Sequence, residues 1–151
     1  MTPNLIPGTE LHISPIAFGC MSIVESQTYP ALAREQAIGA IRAALDHGVT
    51  LFDTARAYAD GKSEELLGEA LQGDRERVVL ATKPSKNDPK QLTEQCHESL
   101  RLLRTDYIDL YQIHWPSRDV PFEATARALE DLRDAGKIRA IGVCNFGPKD
   151  L

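Results

Sequence analysis

Several features that mark common protein classes are missing from this 151-residue chain. No block of Lys or Arg occurs and the formal net charge is -5, so a cationic face for the phosphate backbone of nucleic acid is not expected. No apolar run is long enough to cross a bilayer, and the N-terminus lacks a basic segment followed by an apolar one. We therefore expect a cytoplasmic protein that binds neither nucleic acid nor membrane.

Cysteine is sparse, and Cys20, Cys96 and Cys144 lack the CxxC spacing of metal or redox sites. We expect reduced thiols and no bound metal. The dinucleotide-binding pattern GxGxxG is also missing, which disfavours the doubly wound sheets that carry it. With 42% hydrophobic and 26% charged residues, the composition is that of one soluble globular domain spanning residues 1–151.

What is present is a repeat of about thirty residues. Short apolar runs recur, and a polar residue that could do chemistry follows each of the last four: Asp53, Lys83, His114 and Asn145. The intervals between these polar residues are 30, 31 and 31. The runs are rich in Val, Ile, Leu or aromatic residues, which predicts buried strands; they span residues 49–52, 78–81, 107–113 and 140–143, with an earlier run at 16–18.

Helical patterns separate the strand-like runs. Gly48 is predicted to end the first helix, Ser63 to cap the second, and Asp88 with Pro89 to open the third. The fourth is predicted to open at Pro121. Apolar residues at helical spacing predict the buried faces: Ile38, Ile41 and Leu45 in the first helix, Leu92, Cys96, Leu100 and Leu103 in the third, and Phe122, Ala126, Leu129 and Leu132 in the fourth.

Strands that alternate with helices form a parallel sheet, because each crossover leaves the next strand pointing the same way. The period favours a parallel (β/α) barrel of the TIM type over a doubly wound sheet, and periodicity alone does not separate the two. A closed eight-stranded barrel needs about 200 residues or more, so we expect an α/β barrel truncated after about five strands. Residues 4–6 and 11–13 flank a turn and predict an N-terminal β-hairpin at the barrel's bottom.

The polar residues that follow the strands are expected to lie together. The carboxyl ends of neighbouring parallel strands, about 4.8 Å apart, share one edge, and in a barrel this edge is the catalytic face. Taken singly, Asp53 could cap a turn, Lys83 could be solvated and His114 could be a packed core histidine. Their common register favours a shared site.

Tyr58 lies in the loop that follows Asp53 and should reach the same cleft. To carry a proton near neutral pH, this tyrosine would need a pKa about 2 to 3 below its usual value near 10. We expect the ammonium group of Lys83 to lower the pKa of Tyr58, while Asp53 keeps Lys83 charged. Lys83 must then lie between the other two side chains.

The residues at and around these positions resemble the aldo-keto reductase family. Five stretches carry the resemblance along nearly the whole chain: 52–58, 63–68, 81–83, 99–114 and 136–146. The resemblance implies reduction of an aldehyde or ketone by NADPH, with NADH also possible, and without metal. It implies that Tyr58 donates the proton, that Lys83 and Asp53 tune Tyr58, and that His114 orients the substrate's carbonyl group.

The resemblance also implies cofactor and substrate contacts. Asn145 matches the position that holds the nicotinamide carboxamide, with Cys144 and Asp53 beside it as further cofactor contacts. Cys144 replaces the family's usual serine and Ala59 its common glycine. Trp115 either lines the substrate pocket beside His114 or has only a packing role against other side chains of the protein. In this family the later half of the barrel holds most of the cofactor, so we expect an isolated monomer to bind NADPH poorly.

Other functions stay open. A binding or regulatory module, or an inactive fragment, would keep the same fold without turnover. A lyase would form a Schiff base on Lys83, although the expected presence of Asp53, Tyr58 and His114 beside Lys83 argues against it. The sheet edges near residues 18 and 143 lack neighbours in the predicted topology, and such edges favour self-association.

Overall fold

The computed structural model describes residues 2–28 and 30–150. The strands in these residues are β1 (Asn4–Leu5), β2 (His12–Ile13), β3 (Ala17–Gly19), β4 (Leu51–Asp53), β5 (Val79–Thr82), β6 (Ile108–Ile113) and β7 (Ile138–Val143). The α-helices are α1 (Arg34–Asp46), α2 (Lys62–Ala70), α3 (Pro89–Leu103) and α4 (Phe122–Asp134). None of the described helices is long and apolar enough to span a membrane.

The predicted parallel sheet is confirmed. Strands β3 to β7 lie side by side in chain order, and every neighbouring pair is parallel. The register places Asp53 beside Gly19 on one side and Ala81 on the other. All five strands therefore end at the same edge. Within residues 2–28 and 30–150 the sheet stays open between β3 and β7.

The predicted N-terminal hairpin is also confirmed, as β1 pairs antiparallel with β2. Apolar side chains of the hairpin region pack against those of the strands; the packed residues include Ile6, Leu11 and Ile13 with Leu51, Val79, Leu110 and Ala140. Ser14 and Thr50 exchange backbone-to-hydroxyl hydrogen bonds of 2.8 and 2.9 Å. The hairpin thus covers the sheet near the amino ends of β4 and β5, opposite the edge that carries the polar residues.

The predicted helix ends are right in two cases. The Asp88 side chain accepts a hydrogen bond from the backbone N–H of Gln91 (3.1 Å), as an N-cap does. Gly48 follows α1 with a left-handed φ of 84° and donates its N–H to the Leu45 carbonyl (2.9 Å). In α3 the predicted face is buried, including Cys96.

Two predictions about the helices are wrong. Ser63 does not cap α2: Gly61, with a φ of 84°, holds the N-cap position, and Ser63 is buried inside the helix. Phe122 does not face the core, because it lies in the first turn of α4, is 42% exposed and meets Phe146 edge-on. Thr125 takes a buried position on that helix instead.

Candidate active site

The carboxyl edge of the sheet brings Asp53 and Lys83 into direct contact. The Lys83 ammonium donates to both carboxylate oxygens of Asp53, at 2.7 and 2.8 Å, and to the Thr54 carbonyl at 2.8 Å. The Lys83 side chain is only 4% exposed, whereas that of Asp53 is 35% exposed. All three donors of the buried ammonium group are therefore used, which fixes its position.

Tyr58 reaches the same edge from the loop after β4. The backbone N–H of Arg56 donates to the Lys83 carbonyl (2.9 Å), which ties this loop to the end of β5. The Lys83 nitrogen lies 5.6 Å from the centre of the Tyr58 ring. The His114 ring meets the Tyr58 ring edge-on with centroids 6.0 Å apart. The structure therefore brings Asp53, Tyr58, Lys83 and His114 together at this edge of the sheet.

A strained turn directs the chain from Tyr58 into α2. Ala59 and Asp60 are both left-handed, with φ of 47° and 52°, and Gly61 follows with a φ of 84°. Left-handed backbone is costly for residues with a Cβ atom and is often found at functional sites. Ala59 occupies the position at which the sequence departs from the family's common glycine, so this alanine adopts the conformation that glycine would adopt without strain.

The predicted lowering of the Tyr58 pKa is wrong in direction. Partial burial, followed by the negative charge of Asp53, raises the pKa of Tyr58 above its usual value of 10.0. The physical reason is that the Lys83 charge is directed at Asp53, which accepts two of its hydrogen bonds. Tyr58 is consequently a neutral phenol at pH 7 and has a proton to donate.

His114 is half-buried beside Tyr58. Burial and the positive charge of Lys83 lower the pKa of His114 below 6.5, and Asp53 opposes them. The imidazole is therefore neutral at pH 7, with one ring nitrogen that donates and one that accepts. A neutral donor of this kind suits a carbonyl oxygen as its partner.

Asn145 lies just past the end of β7 with a left-handed φ of 60°. Its side-chain nitrogen donates to the His114 carbonyl (2.8 Å) and to the Cys144 sulfur (3.2 Å), so it links the ends of β6 and β7. Its side-chain oxygen accepts no hydrogen bond from residues 2–28 or 30–150. The side-chain oxygen of Asn145 can therefore accept a hydrogen bond from the N–H of an amide ligand. Asn145 thus fits a nicotinamide carboxamide.

Trp115 extends the site over the loops that follow β5 and β6. Its side chain is 60% exposed and its ring stacks on His114, with centroids 6.1 Å apart and an angle of 28°. Asn87 donates its side-chain amide to the Trp115 carbonyl (2.7 Å), which joins the two loops. A groove of about 620 Å³ runs between these loops, and its lining includes His114, Lys86 and Arg118.

Several buried polar residues behind the site were not predicted as functional. Thr54 donates to the Ser63 hydroxyl (2.8 Å), which donates to the Cys20 carbonyl (2.9 Å). Thr82 donates to the Glu64 carboxyl group (2.7 Å). The signal for Glu64 was present in the sequence, because Glu64 shares a helical face with the buried Leu67 and Leu71. No cluster of His, Cys, Asp and Glu among the described residues could hold a metal ion.

Residues 15–151 match the model of the Aldo/keto reductase family. The chain is 45% identical to Aldo-keto reductase YhdN of Bacillus subtilis, over 97% of this chain and 47% of that protein. It is 45% identical to Methylglyoxal reductase YeaE of Escherichia coli, over 80% of this chain and 43% of that protein. The chain therefore spans about half the length of these relatives.

Solved structures agree with the sequence comparison. An aldo-keto reductase from Bacillus halodurans in its holo form is similar with a TM-score of 0.88 and 33% identity, over 98% of this chain and 51% of that one. An aldo/keto reductase from Klebsiella pneumoniae in complex with NADP and acetate has a TM-score of 0.84 and 40% identity, over 93% of this chain and 49% of that one. The predicted partial TIM-type barrel is thereby confirmed. The chain belongs to the aldo/keto reductase family.

Proposed function

We propose that this chain carries the proton-transfer site of an NADPH-dependent carbonyl reductase, which converts an aldehyde or ketone to an alcohol. The observation that carries the proposal is the buried Lys83 ammonium, bound to both oxygens of Asp53 and placed 5.6 Å from the Tyr58 ring. The edge-on contact of His114 with that ring completes the group. A small carbonyl compound is the substrate that such a set of donors would take.

Each residue has a separate role in this proposal. Tyr58 donates its phenolic proton to the carbonyl oxygen, and the neutral His114 donates a hydrogen bond that orients the same oxygen. The positive charge of Lys83, 5.6 Å from the ring centre, favours the tyrosinate that remains, whereas the negative charge of Asp53 opposes it. Asp53 fixes Lys83 in place for that task.

The proposed cofactor supplies a hydride to the carbonyl carbon when it is bound. Asn145 would hold its carboxamide, with Cys144 next to it in the chain and Asp53 at the same edge of the sheet as further contacts. The choice of NADPH is supported by the Klebsiella pneumoniae relatives, whose structures are described in complex with NADP and with NADPH. Trp115 would form a wall of the substrate groove next to His114.

The lyase alternative is disfavoured by the state of Lys83. Schiff-base formation needs the free electron pair of an unprotonated amine. All three donors of the Lys83 nitrogen are engaged by Asp53 and Thr54, and these hydrogen bonds would have to break before the nitrogen could attack a carbonyl carbon. The binding-module alternative differs from the reductase in one observable: the cofactor would bind without being oxidised by a carbonyl compound.

Isotope transfer tests the reaction class. The protein is incubated with 4-nitrobenzaldehyde and NADPH deuterated at the transferable C4 position, and the alcohol is analysed by mass spectrometry. We expect one deuterium on the carbinol carbon. Saturable cofactor binding without labelled alcohol would replace the reductase with a binding module. Trapping of the aldehyde on Lys83 by borohydride, with no labelled alcohol, would replace it with Schiff-base chemistry.

A further inference from the structure

Glu64 is a fully buried acidic residue that the proposed reaction does not use. It lies in the first turn of α2, and its side chain has no exposure to solvent. One carboxyl oxygen accepts the hydroxyl of Thr82 at 2.7 Å. Thr82 is the last residue of β5 and directly precedes Lys83. The Glu64 contact therefore acts on the backbone next to the site's ammonium group.

Four polar residues, Glu64, Thr82, Ser99 and Tyr111, form a cluster behind the site. They come from α2, β5, α3 and β6, and Thr82 is paired with Tyr111 in the sheet register. The second oxygen of Glu64 and the hydroxyls of Ser99 and Tyr111 are buried without a hydrogen-bond partner in the described part of the chain. Thr82 binds Glu64 directly and is the register partner of Tyr111, which brings three of the four residues together.

The surroundings of Glu64 make its charged form less favourable than it is in water. Burial raises the pKa of Glu64, while Thr82, Ser99 and Arg56 lower it and Glu98 raises it further, with burial the largest effect. A protonated carboxyl group can accept from Thr82 on one oxygen and donate its own proton from the other. The hydroxyls of Ser99 and Tyr111 can each donate or accept. The contact that fixes Glu64 is therefore the hydrogen bond from Thr82.

The preceding residue acts on the neighbouring strand in the same way. Ser63 accepts from Thr54, the residue after Asp53, and donates to the Cys20 carbonyl. Two consecutive residues of α2 therefore hold the backbone beside Asp53 and beside Lys83. The same helix begins directly after the turn that contains Tyr58. One helical turn connects three of the four residues of the site.

We propose that Glu64 is a positioning residue, whose buried carboxyl group holds Thr82 and thereby sets Lys83 against Asp53 and Tyr58. This inference rests on the proposed function for its purpose, because the position of Lys83 serves the proton transfer proposed for Tyr58. The position of Lys83 itself is measured without cofactor or substrate. The required feature of Glu64 is the oxygen that accepts the Thr82 hydroxyl rather than a negative charge. Glutamine, whose amide oxygen is an acceptor in the same shape, should therefore replace it.

The test is nuclear magnetic resonance on three variants of the full chain. The Lys83 ammonium signal reports on its three hydrogen bonds, and the exchange rate of the Arg56 amide reports on its bond to the Lys83 carbonyl. In Glu64→Ala we expect loss of the ammonium signal and about tenfold faster Arg56 exchange, as loss of one buried hydrogen bond predicts. Glu64→Gln should resemble the wild type, as should the exposed neighbour Glu65→Gln.

A second pair of variants covers the case in which Glu64→Ala does not fold. Thr82→Ser keeps the hydroxyl that binds Glu64, and Thr82→Val removes it without changing the shape. The proposal requires the Lys83 signal to survive in Thr82→Ser and to be lost in Thr82→Val. It is overturned if Thr82→Val keeps both signatures, or if Glu64→Gln loses them as Glu64→Ala does. Absence of carbonyl reduction in the wild type would reject the proposed function and leave these signatures unaffected.

Discussion

Gly68 lies where α2 and α3 approach most closely, and its replacement by alanine should destabilise the protein. A Cβ atom at Gly68 would lie 2.4 Å from the Leu102 carbonyl oxygen and 2.6 Å from the Leu103 carbonyl carbon. These are backbone atoms of α3, so no side chain can rotate away and the helices must separate. Such overpacking costs about 3 kcal/mol at the upper end of its usual range.

The cost is reduced by the better helix propensity of alanine, which stabilises a helix interior by about 1 kcal/mol relative to glycine. We therefore expect Gly68→Ala to lower the free energy of unfolding by about 2 kcal/mol. Gly39 in α1 provides the matched control, because a Cβ atom there would meet nothing within 4 Å. Gly39→Ala should raise the free energy of unfolding by about 1 kcal/mol.

Urea unfolding of the wild type and both variants, followed by circular dichroism, measures these differences from the midpoints at equal slope. The expected result is a midpoint below the wild type for Gly68→Ala and above it for Gly39→Ala. If both variants are stabilised alike, the close approach of α2 to α3 at Gly68 is wrong. The position of Glu64, one turn earlier on the same face of α2, would then be wrong as well.

Three further predictions concern single side chains. Iodoacetamide should label Cys144 alone in the native protein, because Cys20 and Cys96 are buried. Burial raises both of their pKa values, that of Cys96 to about 12. Iodoacetamide-labelled Cys96, detected by mass spectrometry, would refute this prediction. Ala59→Gly should raise the free energy of unfolding by about 0.5 kcal/mol by relieving the left-handed strain, whereas a loss in urea unfolding would contradict that conformation. The raised pKa of folded Glu64 stabilises the fold fully below the unfolded value of 4.5 and less as pH rises through the folded pKa, so Glu64→Gln should remove this decline from a pH series of unfolding midpoints.

The part of the fold that the sequence predicts is the part set by local pattern. The strands and the common edge of Asp53, Lys83, His114 and Asn145 follow from period and hydrophobicity alone. The direction of the Tyr58 pKa could not be predicted, because it depends on where the Lys83 ammonium points once Asp53 has bound it. The proposed role of Glu64 depends on its hydrogen bond with Thr82 of β5, which is 18 residues away in the sequence. Self-association through the edges of β3 and β7 stays a prediction, supported by the exposure of Ile16 and Ile141 beside them.

In the proposed reaction, Tyr58 gives its proton to a carbonyl substrate. The rate of NADPH oxidation on addition of 4-nitrobenzaldehyde tests this role when it is compared between the wild type, Tyr58→Phe and Tyr107→Phe, at NADPH concentrations that offset the weak binding expected of an isolated monomer. Tyr107 is the control, because its ring lies between the guanidinium groups of Arg75 and Arg139 at the start of β6, away from the site. We expect loss of oxidation in Tyr58→Phe alone, with unchanged quenching of Trp115 fluorescence by NADPH. Equal oxidation rates in the wild type and Tyr58→Phe would contradict this role.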